Sequence, residues 1–443
     1  MSITKENNSV LNNISFTFGA KIIILFLSAL AGIIIARTLG PYGKGLLAII
    51  VMIGTAALTL GNLGIGGFNN YAISNKSVER KDIIGNSFWL GLIIGIICFL
   101  VILVLVFNFP IFFRNIPRSY LLFYLLSLPF FFWSNFFSSI LTGEQKFRKI
   151  NIFTIIAQII NLIGVILLLL VFKLDVFYVL LWYILVNIIS ALLPMGFIFL
   201  LDGFHFNFNL ELLKKALNYG FKIFLAGIFY LLILRVDLYM VNFFRGATEA
   251  GFYSLASSFG DVFLILPFSI VAVIFPKINA EKKLKKRSIA KYSRISLFLV
   301  FLIAIGTLLF IKSLIGLLYG QIFLPSVRPI IFLLPGLIAW SVITVLSQYF
   351  FSIGYPLKFT ICWFLVAVLN IILNFIYIPQ YGMIAAALSS TVTYLLALGF
   401  HYYFFNKETG LGFYDVFVPR KDEIKDIFNR VMGFLRKNVK NVV

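Results

Sequence analysis

The chain contains one apolar run after another, most of them longer than about 18 residues and almost free of charge. A helix of that length crosses about 30 Å of hydrocarbon. Inside a bilayer each backbone polar group needs an internal hydrogen bond, so such runs fold as helices. Both faces of each run are apolar, whereas the strands of a membrane barrel alternate apolar and polar residues. The pattern therefore predicts an all-α polytopic membrane protein.

Polar breaks divide these runs into about twelve predicted spans. Apolar residues make up 61% of the 443 and charged residues 12%, which excludes an ordinary soluble domain. No gap between spans is long enough for a soluble domain, so any chemistry must occur in or against the membrane. The predicted spans lie near 14–36, 45–68, 83–107, 119–141, 152–172, 177–201, 219–244, 250–275, 295–319, 328–353, 358–378 and 382–405.

The basic residues predict the orientation of these spans, because short cytoplasmic loops are rich in Lys and Arg. With the N-terminus inside, 26 of the 37 Lys and Arg fall on the cytoplasmic side and 7 on the outer side. We therefore expect both termini in the cytoplasm. The net charge of +21 then faces an anionic inner leaflet, which makes anionic lipids an expected partner without requiring nucleic acid.

The chain is predicted to divide into three parts. Residues 1–206 are an N-lobe with spans 1–6, residues 207–405 are a C-lobe with spans 7–12, and residues 406–443 are a cytoplasmic, amphipathic, basic tail. From Asp422 to Lys440, apolar residues recur at helical spacing among charged ones. This helix lies along the inner membrane surface or is a solvated tail helix; the sequence leaves both open.

The two halves of the chain repeat a pattern. The segment 18–22 lies at the start of the first span, and the similar segment 219–223 lies at the start of the seventh. Each of these two spans ends at a pair of glycines five residues apart, Gly40 with Gly45 and Gly246 with Gly251. Glycine permits a tight reversal or a positive φ angle. Six spans plus six, entering the membrane in the same sense, indicate parallel repeats with a substrate path between them.

Several segments resemble those of a known family. The segment Ala36-Arg37-Thr38-Leu39-Gly40-Pro41-Tyr42-Gly43-Lys44-Gly45 is similar to the first-loop signature of bacterial polysaccharide flippases. These form the Wzx-type branch of the multidrug/oligosaccharidyl-lipid/polysaccharide (MOP) exporter superfamily. Further matching segments are Asn62-Leu63-Gly64-Ile65, Asn69-Asn70-Tyr71, Gly143-Glu144-Gln145-Lys146-Phe147, Leu266-Pro267 and Phe275-Pro276. The resemblance extends over nearly all twelve spans and excludes the tail.

The resemblance implies a MATE-like fold of two six-helix lobes and transport by alternating access. It implies an undecaprenyl-pyrophosphate-linked oligosaccharide as cargo, for surface polysaccharide such as O-antigen, capsule or exopolysaccharide. We expect a monomer in the bacterial cytoplasmic membrane, with a polysaccharide polymerase and a chain-length regulator as partners. No metal, catalytic residue or organic cofactor is expected, although transport can be coupled to H⁺ or Na⁺.

Charged residues at membrane depth are the candidate site residues, because a charge there costs roughly 2.5–3.5 kcal/mol and faces a cavity or a partner. Arg235 is predicted to hold the cargo pyrophosphate together with Lys21, Lys222 and Arg37. A guanidinium suits phosphate oxygens and stays charged at cellular pH. Lys21 and Lys222 lie near the inner ends of their helices, where a long side chain can instead reach the membrane surface.

Two acidic residues complete the candidate set. Arg235 and Asp237 are two positions apart on one helix and point to different sides, so each needs a partner elsewhere. Asp261, on the next span, is the natural candidate to meet Arg235. Asp237 and Asp261 are thus predicted either to bind a coupling proton or Na⁺, or to form structural pairs between the two helices.

Three other functions are also found among polytopic membrane proteins that handle sugar lipids or drugs. A membrane-embedded glycosyltransferase, polymerase or ligase usually has acidic metal-binding pairs or a large loop, yet Asp175 and Glu249 are the only carboxylates predicted on the outer face. A multidrug/cation antiporter of the same superfamily is expected to carry acidic residues in the spans of the first lobe, which here contain none. A peptidoglycan-precursor flippase usually has additional spans.

Overall fold

The computed structural model of the protein describes residues 2–280, 285–352, 357–425 and 429. It also describes their side chains except those of 2–15, 222, 223, 226, 272–280, 285 and 357. Within these ranges the backbone forms helices joined by short connections. The α-helices are α1 Ser2–Gly61, α2 Ile65–Ser74, α3 Arg80–Asn108, α4 Arg118–Leu125, α5 Leu128–Gly143, α6 Phe147–Ile166, α7 Val176–Asp202, α8 Leu210–Arg245, α9 Ala247–Ala280, α10 Lys285–Tyr319, α11 Val327–Ser352, α12 Leu357–Thr409 and α13 Phe413–Phe417.

The helices account for the predicted spans. Within the described ranges, ten helical stretches are long and apolar enough to cross a membrane. Two of them, Phe16–Gly61 and Lys358–Thr409, are 46 and 52 residues long, enough for two crossings each at about 1.5 Å per residue. Each is broken by a glycine with positive φ, Gly40 (φ 66°) and Gly382 (φ 58°). Ten stretches therefore supply twelve crossings, and the predicted all-α fold of about twelve spans is confirmed.

The chain forms two compact units. Unit 1 comprises the described residues of 1–255, 314–326 and 371–386. Its core is rich in phenylalanine, with Phe132, Phe136 and Phe137 of α5 fully buried. Unit 2 comprises the described residues of 256–313, 327–370 and 387–443, and α11 supplies much of its core. These units follow packing rather than the sequence repeat, and the predicted lobe boundary at 206/207 remains a prediction.

The connection between the two sequence halves is held against α3 within unit 1. The Asn86 side chain donates to the Asn209 carbonyl oxygen (2.8 Å) and accepts from the Asn209 backbone N–H (2.7 Å). Trp89 Nε1 donates to the Phe206 carbonyl oxygen at 2.7 Å. Asn209 in turn caps α8, because its side chain accepts from the Leu212 backbone N–H. The start of α8 is therefore fixed to α3 by polar contacts that compensate the exposed backbone of the connection.

The predicted tail is described only in part. The last membrane helix, α12, continues to Thr409, and the short helix α13 follows. Of the amphipathic helix predicted from Asp422 to Lys440, only 422–425 and residue 429 lie in the described ranges. Its placement on the membrane surface remains a prediction.

Candidate functional site at the outer turns

Two segments on the predicted outer side, residues 40–45 and 246–251, are called the outer turns here. Each begins with a glycine of nearly the same backbone conformation, Gly40 (φ 66°, ψ −173°) and Gly246 (φ 91°, ψ 174°). A positive φ with an extended ψ costs glycine little and side-chain-bearing residues much more. Each glycine ends one helix and lets the next begin at once. The glycine repeat read from the sequence therefore corresponds to a repeated turn.

The outer turns pack against each other through their second glycines. A Cβ placed on Gly45 would lie 1.8 Å from the Ala247 carbonyl oxygen, and one on Gly251 would lie 1.9 Å from the Pro41 carbonyl oxygen. Ala247 follows the first glycine of its turn as Pro41 follows the first glycine of the other, so the contact is reciprocal. This contact, the outer crossing, brings two backbones together with no side chain between them.

A second glycine contact lies at the predicted inner side of unit 1 and is called the inner contact. A Cβ on Gly64 (φ 77°) would lie 2.1 Å from the Gly220 carbonyl oxygen, and one on Gly220 would lie 2.5 Å from that of Leu63. Asn62 stabilises this break between α1 and α2 by donating to Asn135 Oδ1 at 2.8 Å and accepting from the Gly66 backbone N–H. These contacts involve residues of two segments noted in the sequence, Asn62–Ile65 and 219–223.

Polar side chains cap the helix ends that surround the outer turns. Arg37 donates from Nε to the Leu318 carbonyl oxygen at 2.8 Å and from Nη2 to that of Leu317, at the end of α10. Arg114 donates to the Phe243 carbonyl oxygen, and Asn115 donates to that of Asn242 at 2.9 Å, at the end of α8. The last carbonyls of a helix have no partner within it and carry partial negative charge, so cationic donors suit them.

A pocket of about 480 Å³ opens beside the outer turns and is called the outer pocket. The Tyr42 ring, 54% exposed, forms one wall, and Arg245 and Thr248 of the second turn form another. Asn115 closes it from the connection before α4. Arg245 is also paired with Glu249 at 3.1 Å, and Glu249 accepts from the Met383 backbone N–H at 3.2 Å. The outer pocket thus presents an aromatic face and polar groups, a combination able to contact a sugar ring.

The predicted cargo-binding cations lie in different surroundings. Arg37 is an exposed residue whose described contacts are the helix-capping bonds, and Lys21 is exposed on α1. Arg235 is partly buried on α8 in unit 1. The side chain of Lys222 lies outside the described residues. Binding of pyrophosphate by these four residues remains a prediction.

The two predicted acidic residues differ in burial. Asp237 is 3% exposed, and its carboxylate accepts from the Tyr253 hydroxyl and from the Leu238 backbone N–H. Tyr253 is itself 1% exposed. Asp261 is exposed on α9 and belongs to unit 2, whereas Arg235 belongs to unit 1. The pairing of Arg235 with Asp261 and any ion coupling remain predictions.

Sequence reasoning did not identify Tyr253 as the partner of Asp237. The signal was present, because Asp237 and Tyr253 are each eight positions from Arg245, where the α8–α9 hairpin turns. In an antiparallel hairpin, positions equally far from the turn face each other. The capping roles of Arg114 and Asn115 left no such signal, since their partners are backbone carbonyls about 130 residues away.

A family described as polysaccharide biosynthesis protein matches residues 10–280, which is more than half of the chain. The chain belongs to this family. The matched range contains both outer turns, the inner contact, Asp237 and Tyr253. The predicted relationship to the polysaccharide-transporter branch of the MOP superfamily is confirmed.

Two relatives of this polysaccharide biosynthesis protein extend the comparison. A Shigella flexneri protein named "Putative O-antigen transporter" is 27% identical over 339 residues, which cover 73% of this chain and 76% of the relative. An uncharacterized membrane protein of Methanocaldococcus jannaschii is 25% identical over 206 residues. That match covers 45% of this chain and 41% of the archaeal protein, so the chain spans less than half of that relative's length.

Solved structures show that this family member has the MOP fold. The lipid II flippase MurJ in an inward closed conformation matches with a TM-score of 0.72 and 18% identity, covering 92% of this chain and 89% of MurJ. An inward-facing multidrug resistance MATE family transporter of the MOP superfamily matches with a TM-score of 0.71 and 16% identity, covering 88% of this chain and 96% of the transporter. The fold is therefore shared by proteins named for different cargoes.

Proposed function

We propose that the protein moves a lipid-linked oligosaccharide, carried on undecaprenyl pyrophosphate, from the inner to the outer face of the bacterial cytoplasmic membrane. Family membership over residues 10–280 carries this proposal, and the Shigella flexneri relative named for O-antigen transport supports it. The flipped unit then serves the assembly of a surface polysaccharide. Both termini lie in the cytoplasm in this proposal, in keeping with the distribution of Lys and Arg.

The outer crossing and the inner contact support alternating access as the mechanism. Each joins residues of the first sequence half to residues of the second, and each consists of backbone in contact with backbone. Such a contact closes a path tightly, because little space remains between the chains. It also separates without disentangling side chains. In the proposed cycle the inner contact opens to admit the sugar-pyrophosphate, and the outer crossing opens to release it.

The charged residues have separate roles in this proposal. Arg235, with Lys21, Lys222 and Arg37, neutralises the pyrophosphate during passage. Asp237 holds α8 against α9 through Tyr253, because its carboxylate is buried and engaged there. Asp261, which is exposed on α9, is the proposed site of coupling to a proton or Na⁺.

The experiment uses the full chain reconstituted in vesicles with a fluorescent undecaprenyl-pyrophosphate oligosaccharide, and it measures access of the label to an external quencher. We expect translocation that falls at least tenfold in Arg235→Ala, while Lys312→Ala, a cation at the predicted outer end of α10, leaves it unchanged. Undiminished translocation by a folded Arg235→Ala variant contradicts the proposed role of Arg235. Absence of translocation by the unaltered protein contradicts the proposed function.

A multidrug antiporter is the second candidate, because a multidrug resistance MATE family transporter shares the fold with a TM-score of 0.71. The same vesicles separate the two functions when loaded with ethidium. Ethidium efflux driven by a proton or Na⁺ gradient, without movement of the sugar lipid, favours the antiporter. In cells, deletion of the gene should cause an undecaprenyl-linked repeat unit to accumulate on the inner side if the first proposal is correct.

A further inference from the structure

A pocket of about 580 Å³ lies in unit 2 between the inner end of α10 and the segment after α12, and it is called the inner pocket. Arg287, Lys291 and Arg294 line it from α10. Their spacing of four and three places them on one face of the helix. Ala290, between them, has only a methyl group and leaves the pocket open. One helix face therefore supplies three cations to a single cavity.

A buried ion pair fixes the wall opposite α10, because Arg294 reaches from α10 to Glu423 on the segment after α12. Arg294 donates from Nε to Glu423 Oε2 at 2.9 Å and from Nη2 to Glu423 Oε1, so the pair is bidentate. Both side chains are 5% exposed. Arg294 also donates from Nη1 to the Asp415 carbonyl oxygen, and the Arg420 backbone N–H donates to Glu423 at 3.2 Å. A charge pair with its remaining donors satisfied holds its geometry rigidly, so the wall is preformed.

The charges left over in the inner pocket are mainly positive. Glu423 is neutralised by Arg294, and Asp415 by Arg420 at 3.2 Å. Arg287 and Lys291 are exposed, and in the described part of the chain neither forms an ion pair. Asp422 is the third carboxylate of the lining. Two cations and one carboxylate therefore remain to interact with whatever enters.

Aromatic side chains are exposed on the same segment. Helix α13 packs one side inward, with Val416 fully buried and the Phe417 ring against Tyr402. Phe413 stacks on Phe417 at 4.6 Å and also contacts Tyr402, yet it is 55% exposed, and Tyr414 is 79% exposed. Tyrosine is enriched at membrane–water boundaries, where its ring lies at the level of the lipid headgroups. An aromatic rim beside a cationic pocket is the arrangement that suits a phospholipid.

We propose that the inner pocket binds the headgroup of an anionic phospholipid of the inner leaflet. Arg287 presents paired donors to the phosphodiester oxygens, and Lys291 adds a second positive charge. Asp422 accepts hydrogen bonds from headgroup hydroxyls, which favours a glycerol-type headgroup and disfavours free phosphate. Phe413 and Tyr414 contact the acyl chains. This site requires only the membrane location of the chain and is independent of the cargo.

The test uses the full-length protein in detergent, titrated with phosphatidylglycerol or phosphatidylcholine and measured by native mass spectrometry and by melting temperature. We expect phosphatidylglycerol to be retained selectively and to raise the melting temperature. In Arg287→Gln/Lys291→Gln, phosphatidylglycerol should bind roughly thirtyfold more weakly, because each positive charge that is removed should weaken binding about fivefold. Lys173→Gln/Lys312→Gln removes the same charge from the predicted outer side and should bind as the unaltered protein does.

Each other result overturns the proposal. Equal retention of the two lipids by the unaltered protein contradicts the proposal. This measurement needs no variant, so it remains decisive even if a variant fails to fold. Phosphatidylglycerol binding that is unchanged in the inner double variant, or weakened equally in the outer one, also contradicts the proposal. Stabilisation by inorganic phosphate as large as that by phosphatidylglycerol assigns the pocket to a soluble anion instead.

Discussion

The outer crossing and the Arg294–Glu423 pair hold helices together by opposite means. At the outer crossing Gly45 and Gly251 bring backbones into contact, and there is no room for even a methyl group. At the inner pocket two long side chains reach across space and join through full charges that are 5% exposed. One region depends on the absence of side chains, and the other depends on their charge.

The two regions therefore tolerate different changes. A steric contact between backbones does not change with pH, but any added atom on either glycine forces the helices apart. A buried ion pair accommodates volume changes nearby, but it fails when one partner loses its charge, because the other is left buried and uncompensated.

The largest effect is expected at the outer crossing. In Gly45→Ala the new Cβ would meet the Ala247 carbonyl oxygen at 1.8 Å and the Gly251 nitrogen at 2.6 Å, so backbone must move. We expect the closed crossing to be destabilised by more than about 4 kcal/mol, seen as a large drop in melting temperature and as loss of translocation in vesicles. Gly32→Ala, in the same helix with no atom within 4 Å of its Cβ, should be neutral or stabilising. Equal behaviour of the two variants contradicts the steric account.

Neutralising the buried carboxylate should have the next largest effect. Glu423→Gln leaves Arg294 charged and buried, which costs about 3–5 kcal/mol and lowers the melting temperature. Glu408→Gln is the matched control, because Glu408 pairs with Lys358 at 2.7 Å where the two side chains are 39% and 34% exposed. An exposed pair contributes little to stability. A small effect at Glu423, similar to that at Glu408, shows that the pair does not secure the segment.

We expect pH to change the stability of the Arg294–Glu423 contact and not that of the outer crossing. Burial raises the pKa of Glu423, but hydrogen bonds from Arg294 and the Arg420 backbone N–H outweigh it and hold the pKa below its ordinary value of 4.5. A carboxyl with a lowered folded pKa stabilises the protein above its unfolded pKa, and this contribution is lost as the pH falls through the folded value. Between pH 7 and 3 the melting temperature of the unaltered protein should therefore fall further than that of Glu423→Gln. Parallel curves for the two proteins contradict this.

The smallest effect is expected at Arg37, the charged contact beside the outer crossing. Arg37→Gln removes the cationic cap from the carbonyls of Leu317 and Leu318. Because Arg37 is exposed, the loss should be about 1 kcal/mol, measured as a melting temperature a few degrees lower. Translocation assayed well below that temperature then separates two roles. Retained translocation assigns Arg37 to capping, and abolished translocation in a folded variant assigns it to the cargo.

Much of the fold could be predicted from the sequence, because a long apolar run inside a bilayer must form a helix to satisfy its backbone hydrogen bonds. The twelve crossings and the breaks at Gly40 and Gly246 could be predicted from run length and glycine spacing. The extension of α8 back to Leu210 could not, since its first turns mix leucines with charged residues and are held by Asn86 and Asn209 through contacts distant in sequence.

At the candidate site, the sequence predicts which residues need partners, but the tertiary structure determines which partners they have. The sequence alone identified Arg235, Asp237 and Asp261 as charges that need partners, because the cost of a charge in hydrocarbon is a local property. Only the packed chain determined that Asp237 meets Tyr253, that Arg37 caps α10, and that Gly45 and Gly251 touch. Partner choice depends on helix rotation and register, which arise from the sum of many weak contacts along the whole chain.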